Sequence, residues 1–135
     1  MRVLVDTHVF LLLQTEPERL GATIKILEDP TTQVHLSAAS TWEMSIKWAL
    51  GRLPLPQAPS TYIPDRMRRS QIEGLTVQHQ HAVAVADLPL HHRDPFDRML
   101  VAQANVERMA LVTADPALDA YDVELIRVAG VGPTQ

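Results

Sequence analysis

Residues 94–115 read DPFDRMLVAQANVERMALVTAD, a helix pattern followed at once by a strand and then by an acid. Asp94 suits the N-cap of a helix and Pro95 its first position, which predicts a helix from Pro95 to Glu107. Most sides of this helix are apolar, as is typical of a buried helix. A strand over 111–113 follows, and an Asp-Pro pair then opens a helical turn. The stretch therefore predicts a helix–strand unit with acids at the ends of its elements.

The rest of the chain alternates in the same way between short apolar strands and helices. Further strands are predicted at 2–5, 33–36, 75–77 and 123–127. Further helices are predicted at 9–13, at 17–28, from an N-cap within 37–40 to 50, after Pro59 to about 72, and at 81–86. This alternation predicts an α/β fold, a three-layer α/β/α sandwich with a central, mainly parallel sheet. We assign residues 1–130 to a single domain and residues 131–135 to a short C-terminal tail.

Composition limits the class of protein. Of the 135 residues, 46% are hydrophobic but only 4% are aromatic, and this suits strands that are covered on both faces. The longest apolar run, Val9 to Leu13, is too short to span a bilayer, and the first residues do not resemble a secretion signal. The chain has no cysteine, which excludes disulfides and thiolate metal sites. We therefore expect a cytoplasmic protein without membrane contact.

Four acids lie just past an apolar run or in the first turn of the helix nearby: Asp6, Glu43, Asp97 and Asp115. In a parallel α/β sheet these positions gather at the carboxyl edge, where such folds build their sites. Converging carboxylates repel one another unless they are protonated or bridged by cations. Mg²⁺, with Mn²⁺ as a substitute, is the natural bridge between oxygen ligands. The net charge of −4 argues against a broadly cationic nucleic-acid binder, although these four carboxylates account for all of it.

Each acid also has a structural interpretation. Asp6 and Asp115 could cap the helical turns that follow them. Glu43 follows Ser40 at the spacing of a capping box, or could pair with Lys47. Asp97 lies in the first helical turn, where the helix dipole is expected to lower its pKa. Taken together, the four acids favour one shared site.

Three residue groups near these acids have alternative roles. Thr113 could hydrogen-bond a site carboxylate, a bound water or the local turn. The basic cluster of Arg66, Arg68 and Arg69 is better explained as a solvated helix face than as a phosphate contact. Histidines also cluster in the sequence, but their spacing does not favour a zinc site. These histidines are His79, His81, His91 and His92.

Five segments resemble the PIN-domain family, and more closely the VapC-type toxins of bacterial type II toxin–antitoxin pairs. They are Val-Asp-Thr-His at 5–8, Ser-Thr-Trp-Glu-Met-Ser-Ile-Lys at 40–47, Gly-Arg-Leu at 51–53, His-Arg-Asp-Pro-Phe-Asp-Arg-Met-Leu-Val-Ala-Gln-Ala at 92–104 and Leu-Val-Thr-Ala-Asp at 111–115. By this resemblance the four acids match the family's metal-binding positions, and Thr113 matches the hydroxyl residue before the last acid. Asp94 is then the cap of its helix.

The resemblance implies an Mg²⁺- or Mn²⁺-dependent ribonuclease that cleaves tRNA or rRNA. It also implies a small antitoxin partner whose C-terminal segment occupies a groove of the toxin, and a homodimer that forms a heterotetramer or larger assembly with the antitoxin. Two other functions stay open from the residues themselves. One is a metal-dependent DNA nuclease or phosphohydrolase, and the other is a catalytically silent binding module of the same fold.

Overall fold

Five parallel strands form the centre of the structure, a computed structural model that describes residues 1–129. They lie in the order β3-β2-β1-β4-β5. Their bounds are β1 (Arg2–Val5), β2 (Gln33–Ser37), β3 (Ile72–Leu75), β4 (Ala110–Thr113) and β5 (Leu125–Arg127). The predicted parallel sheet is confirmed. The predicted domain boundary at residue 130 and the tail 131–135 lie outside the described residues.

Six α-helices connect and cover these strands. They are α1 (Thr7–Thr15), α2 (Thr23–Glu28), α3 (Ala38–Ala49), α4 (Pro59–Arg69), α5 (His79–Ala84) and α6 (Pro95–Glu107). Single turns of 3₁₀ helix follow at Pro17–Leu20, Val85–Asp87 and Pro116–Ala120. None of the helices within residues 1–129 has both the length and the apolar character that crossing a bilayer requires.

The side chains of β1 show how the sheet is covered on both faces. Val3 and Val5 are buried in one apolar cluster, which includes Phe10 of α1, whereas Leu4 is buried in a second cluster with Leu100 of α6. Successive strand residues point to opposite faces, so a strand without polar positions requires apolar cover on each side. The predicted three-layer α/β/α sandwich is thereby confirmed.

The bounds of several predicted elements shift in the structure: the helix predicted to about 72 ends at Arg69, the helix predicted at 81–86 is His79–Ala84, and the strand predicted at 123–127 is Leu125–Arg127. Two predicted elements differ more. The helix expected over 17–28 is interrupted at Gly21, whose φ of +57° separates the 3₁₀ turn from α2. The strand expected over 75–77 lies instead at Ile72–Leu75, with Gly74 inside it rather than in a turn. Gly74 pairs in register with Leu36 of β2, so tertiary pairing prevails over the turn preference of glycine at this edge strand.

The strand order places a crevice at one edge of the sheet. From β1 the chain moves outward through β2 to β3 and then returns to β4 on the other side of β1. This reversal is a topological switch point, where the loops after neighbouring strands diverge and leave a cleft at the carboxyl ends. Asp6 follows β1 and Asp115 follows β4, so both acids lie at this cleft.

Candidate active site

A crevice of about 480 Å³ opens at the switch point, and all four predicted acids line it. Its other lining residues are Thr7, His8, Leu11, Met44, Lys47, Arg52, Leu53, His92 and Asp94. The acids come from four different parts of the fold. Asp6 and Asp115 belong to the strand ends, whereas Glu43 and Asp97 are carried by α3 and α6. Residues remote in sequence therefore meet in one place.

On the strand side, one hydroxyl links the two acids. Asp6 is only 5% exposed, and its Oδ1 accepts a hydrogen bond from the Val9 amide at 2.8 Å. The Thr113 hydroxyl donates to Asp6 and accepts from the Asp115 amide at 3.0 Å. Asp115 Oδ1 caps the following 3₁₀ turn through the Ala117 amide at 2.9 Å. Both acids therefore act as helix caps as well as lining the crevice.

Glu43 lies in the middle of α3, so the capping-box interpretation is wrong. The N-cap of α3 is Ser37, whose hydroxyl accepts from the Ala39 amide at 3.0 Å. Glu43 instead accepts hydrogen bonds from the Thr7 hydroxyl and the Lys47 ammonium, each at 2.7 Å. Its carboxylate is thus held at the crevice from both sides, and the alternative pairing with Lys47 is present.

Two acids lie at the start of α6. Asp94 caps the helix, and Asp97 faces the crevice. Asp94 Oδ1 accepts from the Phe96 and Asp97 amides at 2.8 and 3.3 Å, so the predicted N-cap is confirmed. Asp97 makes no such backbone contact among the described residues, and its Oδ2 lies 3.3 Å from His92 Nε2. Asp97 is therefore the acid whose position serves the crevice rather than the helix.

The pKa values of two of the acids, Asp97 and Asp6, are raised above the ordinary value of an aspartate. Burial raises the pKa of Asp97 to about 7, and the charges of Asp94, Asp6 and Glu43 add to this effect while His92 opposes it. Burial likewise raises the pKa of Asp6 to about 6, although hydrogen bonds from Thr113 and Val9 counteract part of the shift. The expectation that the helix dipole lowers the pKa of Asp97 is therefore wrong, because desolvation and neighbouring carboxylates outweigh it.

His92 is a residue of the crevice that the sequence did not reveal. Its Nε2 lies 3.3 Å from Asp97 Oδ2 and 3.4 Å from Asp115 Oδ2. Its Nδ1 accepts a hydrogen bond from the Asp94 amide at 3.1 Å. A neutral imidazole that accepts at Nδ1 carries its proton on Nε2, the atom that faces the two carboxylates. The only sequence signal for this role is its position two residues before the cap of α6.

The other groups considered from the sequence have structural roles. His81 is buried and its Nε2 lies 2.7 Å from Glu107, while His91 packs edge-on against Tyr121. Within residues 1–129 the four histidines do not gather into a zinc site. On α4, Arg66 donates to Gln14, and Arg68 and Arg69 pair with Asp65. This basic cluster does not line the acidic crevice.

The donor set of the crevice fits a hard divalent cation. Carboxylate oxygens of Asp97 and Asp115 lie within 4.8 Å of one another, and Asp6 and Glu43 line the same space. The raised pKa values of Asp6 and Asp97 show that the site lacks positive charge. The Nε2–H of His92 already supplies a partial positive charge between two carboxylates. Carboxylate oxygens in this number suit Mg²⁺ or Mn²⁺.

A parallel sheet with carboxylates at its switch point places the protein among small α/β domains with an acidic site. The family model of the PIN domain matches residues 3–124, and the chain belongs to this family. Ribonuclease VapC16 of Mycobacterium tuberculosis is 42% identical over 64 residues, which are 47% of this chain and 45% of that protein. The match thus spans about half the length of this curated relative.

Solved structures share the fold at low sequence identity. The VapBC2 complex from Rickettsia felis, bound to a DNA fragment of its promoter, matches with a TM-score of 0.73 and 11% identity over 94% of this chain and 98% of that chain. A toxin–antitoxin complex from Klebsiella pneumoniae matches with a TM-score of 0.67 and 15% identity over 96% and 99% of the two chains. The family predicted from the sequence is confirmed, and VapC-type proteins are among its relatives.

Proposed function

We propose that this protein is a metal-dependent endoribonuclease and the toxin of a toxin–antitoxin pair. The observation that carries the proposal is the convergence of Asp6, Glu43, Asp97 and Asp115 on one crevice at the switch point of the sheet. Membership of the PIN-domain family supports it, as does the similarity to a relative named as a ribonuclease. The RNA phosphodiester is the proposed substrate, with tRNA or rRNA as the expected source.

In this proposal Asp6, Asp97 and Asp115 hold one or two Mg²⁺ or Mn²⁺ ions, and Glu43 completes the cage or orients the attacking water. A divalent cation at this place supplies a Lewis acid, which offsets charge on the scissile phosphate and lowers the pKa of a water molecule. Glu43 is positioned for its role by Thr7 and Lys47, each 2.7 Å from its carboxylate.

The residues around the acids keep the carboxylates in position. The Thr113 hydroxyl contacts both Asp6 and the backbone amide of Asp115, and so links the two strand-end acids. His92 lies beside both Asp97 and Asp115, with its Nε2 3.3 and 3.4 Å from their Oδ2 atoms. Attack by water does not use the 2′-hydroxyl of RNA as nucleophile. The products are therefore expected to carry 5′-phosphate and 3′-hydroxyl ends.

A protein partner is the second part of the proposal. Solved structures of the same fold are toxin–antitoxin complexes, and this supports a small antitoxin as partner here. Trp42 and Ile46 on α3, with Leu50 just after its end, form an exposed apolar row, with 64%, 37% and 61% of their surfaces exposed. Such a row favours contact with another protein. A homodimer, extended by the antitoxin to a heterotetramer or larger assembly, is the arrangement that we propose.

The test of the activity is cleavage of RNA by the wild type, by Asp97→Asn and by the control Asp87→Asn. Asp87 is exposed on the 3₁₀ helix at Val85–Asp87 and lies outside the crevice. We expect Mg²⁺-dependent cleavage by the wild type and the control, and a loss of at least about a hundredfold in Asp97→Asn.

Matched RNA and DNA oligonucleotides and mapping of the product ends complete the test. Cleavage of DNA alone would support a DNA nuclease instead. Full Mg²⁺-dependent activity of Asp97→Asn would show that the proposed site is wrong. An absence of Mn²⁺ binding in calorimetry, or binding that alanine at the four acids does not change, would point to a silent binding module.

A further inference from the structure

The acidic crevice must admit a substrate that is itself negatively charged. Five carboxylates line it, namely Asp6, Glu43, Asp94, Asp97 and Asp115. A nucleic-acid strand carries a charge on every phosphate, so binding needs cations at defined positions on the protein. A cationic side chain at the crevice is therefore required.

Two permanently charged cations line the crevice, Lys47 and Arg52. The Lys47 ammonium lies 2.7 Å from Glu43 Oε2 and is therefore already neutralised. The guanidinium of Arg52 makes neither a hydrogen bond nor an ion pair with any side chain or carbonyl in residues 1–129. Arg52 thus presents a free positive charge to the crevice, which is unlike the ion-paired arginines of α4.

The end of α3 fixes the point from which Arg52 extends. Gly51 has a φ of +72°, and its amide donates to the Trp48 carbonyl at 3.0 Å. The Arg52 amide donates to the Lys47 carbonyl at 2.8 Å, and this pair of bonds forms a Schellman motif. Leu53 then packs against the apolar core. The backbone of Arg52 is therefore held on both sides, on the same helix that carries Glu43.

We propose that Arg52 binds a phosphate of the RNA strand in the crevice. The proposal rests on the proposed function and adds a recognition residue to that site. A guanidinium presents paired N–H donors that match two phosphate oxygens, and Arg52 has no competing partner among the described residues. It contacts the backbone of the strand rather than a base, so it contributes to affinity for any sequence. Its removal raises KM and leaves kcat close to the wild-type value.

The experiment measures binding of a fluorescently labelled single-stranded RNA as a function of salt. Arg52→Gln, Arg52→Lys and the control Arg108→Gln are compared in the Asp97→Asn background, which prevents cleavage. Arg108 is exposed at the opposite end of α6 and does not line the crevice, so its substitution removes the same charge elsewhere. Circular dichroism and thermal melting verify that each variant folds.

We expect Arg52→Gln to weaken binding roughly tenfold and to reduce the slope of log K against log salt by about 0.7, the value for one phosphate contact on a single strand. Arg52→Lys should restore the slope but only part of the affinity, because a lysine lacks the paired donors. Equal affinity and slope in Arg52→Gln and Arg108→Gln would overturn the inference, as would an absence of RNA binding in all variants.

Cleavage assays separate this inference from the proposed function. If the wild type cleaves RNA and Arg52→Gln has an unchanged KM, the phosphate contact is refuted and the nuclease stands. If the wild type does not cleave any RNA but its binding depends on Arg52, the nuclease proposal fails and the phosphate contact stands.

Discussion

At the scale of single residues, the crevice contains two carboxyl groups, those of Asp97 and Asp6, whose ionised forms are unfavourable in the native protein. The carboxyl of Asp97 retains its proton to a pH of about 7 in the native protein, against an ordinary value of 3.8. The native state therefore binds more protons than the unfolded state between these values, and stability must fall as pH rises through this range. Asp6, with a pKa raised to about 6, contributes in the same direction. Asp97 and Asp6 thus destabilise the metal-free fold near neutral pH.

Asp97→Asn is expected to stabilise the metal-free protein at a pH above about 7, by on the order of 2 kcal/mol, and to have little effect below a pH of about 4. Asparagine keeps the shape of the side chain and removes the charge that burial disfavours. The measurement is urea unfolding in the presence of a chelator across this pH range. Asp87→Asn, at an exposed position, is the control, and an equal gain in both variants at every pH would contradict the electrostatic account.

At the scale of elements, the sequence was most informative where local signals and burial agree. The bounds of α6 follow directly from Asp94, Pro95 and the apolar run behind them, and β1 was likewise predicted to the residue. The bounds of β3 could not be predicted, because Gly74 favours a turn locally while its pairing with Leu36 depends on a strand remote in sequence.

The site shows the same contrast between features that local sequence indicates and features that depend on the tertiary structure. Asp6, Asp97 and Asp115 could be named from the sequence because each lies at the end or start of an element, whereas Glu43 lies in the middle of α3. The roles of His92 and Thr7 could not, since their contacts with Asp97, Asp115 and Glu43 depend on how α1, α3 and α6 are arranged in space. The sequence also predicts the wrong direction for the pKa shift of Asp97, for a related reason. The helix dipole is a local effect, whereas burial and neighbouring carboxylates are effects of the tertiary structure.

The N-cap of α6 provides a test at this scale. Asp94→Ala removes the acceptor for the Phe96 and Asp97 amides, and should be about 1 kcal/mol less stable than Asp94→Asn, which keeps an acceptor. Both variants lose the same charge beside Asp97, so their difference isolates the cap. Urea unfolding at constant m-value measures it. Equal midpoints for the two variants would show that Pro95 and burial suffice to start the helix.

At the scale of the whole molecule, the proposed cation links the layers of the sandwich. Its proposed ligands belong to the ends of β1 and β4 and to α3 and α6, which lie in separate parts of the chain. The unfolded chain cannot offer this arrangement, so an ion that binds the native state should stabilise the entire fold.

Mn²⁺ is therefore expected to raise the melting temperature of the wild type, with a stabilisation of about 2.7 kcal/mol at a concentration a hundred times its dissociation constant. A chelator should reverse the effect, and Asp97→Asn should show much less of it because one proposed ligand is lost. Differential scanning calorimetry over a Mn²⁺ titration gives the measurement. A melting temperature that does not depend on Mn²⁺ would argue against the proposed cage.

The hydroxyl of Thr113 serves two of the crevice acids at once. It joins Asp6 and Asp115 across neighbouring strands, and both acids also cap helical turns. Glu43 reaches the same space from the middle of α3, where Thr7 and Lys47 hold its carboxylate. Loss of the Thr113 hydroxyl would then remove a partner from both strand-end acids together, whereas Glu43 would keep both of its own.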